Sequence, residues 1–478
     1  MKHRQGVTEN FRWLAGANLA VKPLWFVFVL LSARILGPDE FGAYMYAISY
    51  VSVIAVFLEG GVDIWTVRYL AENSGSFSQF FFHTLFAKVI SAALVSVAVL
   101  VSLQFLHPDQ SIYWLVVSAL GFNLFSTVMV HCRFVFRAFE IMKYEAATII
   151  IENTTVLLVC GLALWMGAHA LMFMVSYSAA YAVVCTVTLV MVAITIGLPR
   201  WQINFRYLLQ NVLKPALPYA LMSVFMVVYF RSATLMLHWL TGREDLVGFY
   251  NAGYRLVESF LLFPAVLIGP MYPSFARRKQ ETAYISKLLY EGSRIILLFS
   301  VGVAVPIALF SKDFCLLFYG PEYLGAIQAI RILILVVVPL GMTWVYGSLV
   351  AASGRQWKAN IIILAVTFAN IVAHYFVIPR WGLSGAAIVT LITEMAIALG
   401  NMWTVRDYLP GQPFGTLYLK AFAIALAVVV LDAASILPEG FVFRLCCVGV
   451  IMGVLFLASR FVSLEDVRRI MKPVARET

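Results

Sequence analysis

Four cationic side chains interrupt long apolar runs: Lys22, Lys88, Arg231 and Arg255. A charge inside hydrocarbon costs on the order of 3 kcal/mol on insertion scales, so each of these positions needs a partner or a watery surface. Two of them belong to polar stripes. Asn18 and Lys22 share a helical face at i and i+4, and Asn251, Arg255, Glu258 and Ser259 recur at positions 0, 4, 7 and 8, the helical period. Such stripes face protein or water rather than lipid. Their chemistry is the attraction of an anion by fixed cations, with the buried-run acid Glu394 as a further polar or coupling group. A packing pair between Arg255 and Glu258 at i and i+3 is the competing interpretation.

The remaining intramembrane charges read as structural. Arg331 lies in the first turns of its run and can snorkel to the interface. Glu59 and Asp63 close their run and cap or anchor it, and Glu152 and Asp432 pair with buried groups. His83, His131, His238 and His374 lack ligand spacing and read as polar spots in helix packing. The six cysteines lie in or beside apolar runs without metal spacing and read as small buried side chains. No phosphate-cradling loop, HExxH, GxSxG or paired loop carboxylates occur, so neither enzyme activity nor a cofactor is expected.

The elements that carry these residues follow from composition. The 478 residues are 62% hydrophobic and 12% charged, with mean hydropathy +0.90. A bilayer core of about 30 Å takes roughly 20 apolar residues per helical crossing. About fourteen apolar runs meet that requirement, which predicts an all-α polytopic membrane protein whose short loops cannot house a catalytic domain. The net charge of +10 reflects orientation rather than nucleic acid, because it is concentrated in alternate gaps. Of 34 Lys and Arg, twenty-four fall on one side and five (Arg34, Arg243, Lys312, Arg380 and Arg444) on the other. The positive-inside bias makes both termini cytoplasmic and the crossing number even.

The chain also repeats. Phe41-Gly42-Ala43-Tyr44 matches Val247-Gly248-Phe249-Tyr250, Lys143 matches Lys358, and Gly167 matches Gly382. Two parallel six-helix lobes around a central cleft are therefore expected, over residues 1–197 and 215–405. An amphipathic interfacial helix over 198–214 joins them, and 406–478 adds two C-terminal helices and a tail.

The first hairpin is more specific. Arg34-Ile35-Leu36-Gly37-Pro38-Asp39-Glu40-Phe41-Gly42-Ala43-Tyr44, then Gly60-Gly61 and Val67-Arg68-Tyr69-Leu70-Ala71-Glu72, resembles the polysaccharide transporter family of the multidrug/oligosaccharidyl-lipid/polysaccharide exporter superfamily. Tyr250-Asn251-Ala252-Gly253-Tyr254-Arg255-Leu256 and Met271-Tyr272-Pro273 are similar to the equivalent part of its second half. The chain departs from the pattern at Glu59-Gly60-Gly61, where one glycine is expected, so no coupling role passes to Glu59. The resemblance implies a flippase for undecaprenyl-pyrophosphate-linked oligosaccharides, working by alternating access in the bacterial cytoplasmic (inner) membrane. It also implies membrane lipids, a glycan polymerase and glycosyltransferases as partners, and no nucleic acid. The alternatives are a multidrug cation antiporter of the same superfamily, whose cavity should favour acids, and a polytopic glycan ligase or glycosyltransferase, which needs a long catalytic outer loop.

Overall fold

A chain this apolar must satisfy its backbone hydrogen bonds within each segment, and the helix does so. A computed structural model of the protein describes residues 7–106, 108–198, 202–434, 440–459 and 461. The tail cations Lys2, Arg4, Arg460, Arg468, Arg469, Lys472 and Arg476, and Arg200 of the connector, lie outside the described residues. In chain order the helices are α1 (Val7–Glu59), α2 (Val62–Glu72), α3 (Phe77–Leu106), α4 (Gln110–Ala138), α5 (Met142–Trp165), α6 (Ala170–Thr195), α7 (Phe205–Tyr207), α8 (Lys214–Thr241) and α9 (Glu244–Phe260). They continue with α10 (Leu262–Arg277), α11 (Thr282–Leu309), α12 (Ser311–Phe318), α13 (Ile327–Leu333), α14 (Val337–Ala352), α15 (Gln356–Thr404), α16 (Phe414–Ala433) and α17 (Phe441–Ala458).

Among the described residues, 12 helical stretches are long and apolar enough to cross a membrane. Two of them are double. The 48-residue stretch Arg12–Glu59 breaks at Gly37, φ 75°, and the 49-residue α15 breaks at Gly382, φ 52°. Only glycine takes such a φ without strain, and Pro38, which has no N–H to leave unpaired, opens the helix after Gly37. Each half is long enough for its own crossing, which brings the number to the expected fourteen. The protein is an all-α, multi-pass membrane protein.

The described chain divides into two compact units, Met1–Asn251 with His374–Gly382, and Ala252–Ala373 with Leu383–Thr478. In the first, α2, the start of α3, the end of α4 and the connector share a core of Leu70, Phe80, Phe81, Cys132, Phe136 and Val212. In the second, α10, α11, α14, α16 and α17 pack around Phe275, Leu289, Ile296, Val345, Tyr346 and Val448.

Among its described residues the connector is helical from Phe205 on, and α7 runs through a π-helical turn, Leu208–Leu213, directly into α8. Proline explains the geometry there. Pro215 has no N–H to return to the carbonyl of Asn211, and that oxygen instead accepts the Trp65 indole N–H at 2.7 Å. Of the expected apolar face, Leu208 and Val212 are buried while Leu209 and Leu213 are exposed.

Candidate functional site

A polar cluster of the first unit grows from the break between α1 and α2. Gly61 has φ 85°, and a Cβ there would run into the carbonyl oxygen of Ala216 on α8. The second glycine that set this chain apart from the family pattern therefore marks a backbone approach that only glycine permits. The break leaves Glu59 at the last turn of α1 and Asp63 in the first turn of α2.

Lys88 on α3 reaches both helix ends. Its Nζ donates to Asp63 Oδ2 at 2.9 Å and to the Glu59 carbonyl at 3.2 Å, a group otherwise left over at a helix C-terminus. His131 of α4 reaches Asp63 Oδ1 through Nδ1 at 2.8 Å and Thr84 Oγ1 through Nε2 at 2.8 Å, with its ring stacked on Phe81. Asn123 Nδ2 donates to Glu59 Oε1 at 2.9 Å. Lys88 is 2% exposed. Its charge is thus compensated inside the protein, in a pair that ties three helices together.

The other expected residues are placed differently. Lys22 is exposed on the first half of α1, and Asn18, half-buried, donates to the Leu14 carbonyl at 2.8 Å. Arg231 is half-buried on α8. Asn251 is buried and donates to Thr234 Oγ1 of α8 at 3.3 Å. Arg255 pairs with Glu258 at 2.6 Å, with side chains 25% and 40% exposed, so the pair is formed yet reaches the surface of its unit. Ser259 donates to the Leu256 carbonyl of its own helix at 2.6 Å, and Glu394 is buried in the second half of α15.

The residues read as structural do find partners. Glu152 of α5 meets Arg133 of α4 at 2.7 Å and accepts from the Tyr181 hydroxyl of α6 at 2.5 Å. Asp432 pairs with Arg444, and Arg331 is exposed with Nε at 3.3 Å from Ser311 Oγ. What sequence reasoning missed is the convergence of Asp63, Lys88 and His131. The available signal was weak: a Lys, a Thr and a His that fall near adjoining ends of consecutive crossings, beside an acid just past the end of the preceding one.

Comparison with known proteins follows this geometry. Residues 7–279, more than half of the chain, match a family model described as polysaccharide biosynthesis protein. The chain is 24% identical over 198 residues to a probable flippase, AglR, of Haloferax volcanii, a match covering 38% of this chain and 40% of that one. Among solved structures it resembles the lipid II flippase MurJ in an inward closed conformation, with TM-score 0.69 and 14% identity over 94% of this chain and 99% of that one. It also resembles an inward-facing MATE-family multidrug resistance transporter of the MOP superfamily, with TM-score 0.65 and 15% identity over 82% and 98%. At such identities the structural likeness carries the fold and not the cargo.

Proposed function

The chain belongs to the polysaccharide biosynthesis protein family within the multidrug/oligosaccharidyl-lipid/polysaccharide exporter superfamily, and from that premise we propose that this flippase or exporter moves an undecaprenyl-pyrophosphate-linked oligosaccharide. The cargo is an O-antigen, capsule or exopolysaccharide repeat unit, carried across the bacterial cytoplasmic membrane by alternating access between the two matched halves of the sequence. A lipid pyrophosphate carries about two negative charges beside a hydrated sugar head, and neither crosses hydrocarbon unaided.

The observation that supports this cargo is the contrast among the intramembrane cations. Lys88 is buried in its ion pair, whereas Lys22 is exposed and Arg255 is partly exposed beside Glu258 within crossing helices. We assign Lys22, Arg231 and Arg255 to attracting the pyrophosphate, and Asn18, Asn251, Glu258 and Ser259 to shaping their surroundings. Glu258 keeps the attraction moderate, since a site that holds its cargo too firmly cannot release it. Lys88 acts by positioning α2 and α3. Glycosyltransferases that build the lipid-linked glycan and a polymerase that consumes it are the implied partners.

The test is surface-glycan export. Lys22→Ala and Arg255→Ala are each expected to lower it at equal protein level and to leave lipid-linked intermediate on the inner leaflet, while Arg255→Lys keeps part of the activity. Wild-type export by the Lys22→Ala/Arg255→Ala double variant removes both residues from the mechanism. The likeness to the MATE-family transporter favours a second reading, export of cationic drugs. Loss of drug resistance on deletion, with glycan export intact, selects it.

A further inference from the structure

Two turns at one end of the second unit gather three cations around a single recess. Helix α14 closes through Gly354, φ 76°, with the Arg355 amide returning to the Val350 carbonyl at 3.0 Å, and α15 begins at once with Gln356. The second turn, Arg406–Tyr408, follows the end of α15. Arg355 locks the two turns together. It donates to the Thr404 carbonyl at 2.7 Å, meets the Asp407 carboxylate at 2.8 Å and lies over the Tyr408 ring at 5.4 Å. Lys358 and Arg406 are exposed and, with Trp403 and Thr404, complete the recess.

Three cations face one acid there, so the recess is net positive. Arg406 stacks on Trp403 at 4.9 Å, and Trp403 and Trp357 are 57% and 75% exposed, as indoles at headgroup depth are. The neighbouring connection reinforces the field. Ser286 in the first turns of α11 donates to the Pro410 carbonyl at 3.0 Å, which brings Lys287 and the α10–α11 connection, with Arg277, Arg278 and Lys279, to the same end. Loop charge that only orients a chain needs no fixed geometry. Here one guanidinium is immobilised by three contacts, so the recess is formed in advance and little ordering is needed to fill it.

We propose that this recess binds the phosphate of a lipid headgroup in the adjoining leaflet. The ammonium of Lys358 and the guanidinium of Arg406 donate to the phosphate oxygens, Arg355 holds the two turns in register, and the indoles of Trp403 and Trp357 lie alongside the glycerol or prenyl portion. This site stands whether or not the cargo assignment above holds, because it concerns a lipid bound at the surface.

The experiment titrates the purified full-length protein in detergent micelles with phosphatidylglycerol and, separately, with undecaprenyl phosphate, and reads bound lipid by native mass spectrometry. Near-surface cations each contribute about a factor of five, so Lys358→Ala/Arg406→Ala is expected to weaken binding of the preferred lipid roughly 25-fold. Arg277→Ala/Lys287→Ala removes the same charge from the neighbouring connection and is expected to stay near wild type. Preference for one lipid over the other identifies the source of the phosphate, and either preference supports the site. Equal loss in both double variants means diffuse attraction and overturns the proposal, as does no loss in the recess variant or binding of inorganic phosphate as tight as that of the lipids. Unfolding temperatures are recorded for each variant, and if Lys358→Ala/Arg406→Ala is destabilised, Lys358→Gln alone carries the comparison.

Discussion

Asp63, Lys88 and His131 show how a residue's meaning depends on its partner. Taken singly, Lys88 is a suspect for ligand binding, Asp63 an anchor and His131 a packing residue, but at 2.9 and 2.8 Å they form one compensated network. Breaking a buried pair leaves an uncompensated charge and costs about 3–5 kcal/mol, whereas replacing both partners by apolar groups is far milder. Lys88→Met and Asp63→Leu are therefore each expected to lower folded yield and unfolding temperature sharply, and the double variant to recover most of the loss. Simple additivity in that double-mutant cycle, measured on detergent-purified protein, rules out the pair as a unit. Asp63 keeps 21% side-chain exposure and its His131 partner, so Lys88→Met, which leaves that carboxylate behind, should fall at the milder end of the range, and Asp63→Leu, which strands the buried Lys88, at the harsher end.

Helix segments explain why the sequence repeats where it does. A Cβ on Gly42 of α1 would overlap the Glu244 carbonyl of α9, and a Cβ on Gly248 of α9 would overlap the Pro38 carbonyl of α1. The matched glycines thus serve one reciprocal helix contact, each making room for the other's backbone. Gly167 and Gly382, matched further along, both take positive φ, 79° and 52°, at corresponding breaks, and Lys143 and Lys358 both stand in the first turn of the preceding helix. One turn on from Gly42, Tyr46 ties α1 to α8 instead, stacking on His238 and accepting the Trp239 indole N–H at 3.2 Å. Gly42→Ala or Gly248→Ala forces the helices apart, and each is expected to cost about 1–3 kcal/mol, read as a lower unfolding temperature. An unchanged temperature for both places the close approach outside the folded protein's needs.

For the whole molecule, orientation is the consequence that reaches furthest. From the charge bias we propose that the turns bearing Lys358 and Arg406 face the cytoplasm and the turn bearing Arg243 the outside. A membrane-impermeant maleimide applied to intact cells is expected to label Arg243→Cys and to spare Lys358→Cys and cysteines placed at positions 3 and 472. External labelling at 358, 3 or 472 reverses the orientation and moves the lipid-phosphate recess to the opposite leaflet. The family match supplies the family and the likeness to known structures the fold, while the proposed cargo rests on chemistry at Lys22 and Arg255.

The chain's hydropathy alone determined that it is an all-helical, multi-pass membrane protein with about fourteen crossings, because transfer into a bilayer sums over local residues and needs no knowledge of neighbours in space. The glycines at 42, 167, 248 and 382 were legible as repeats for the same local reason. Tertiary structure decided which intramembrane charges are neutralised. Lys88 finds Asp63 across 25 positions and His131 finds it across 68, and whether such groups meet depends on the rotation of each helix about its axis and on its packing partner. It also decided that Arg355 and Asp407 hold two distant turns in one cationic recess, a proximity made by folding and written in no local pattern.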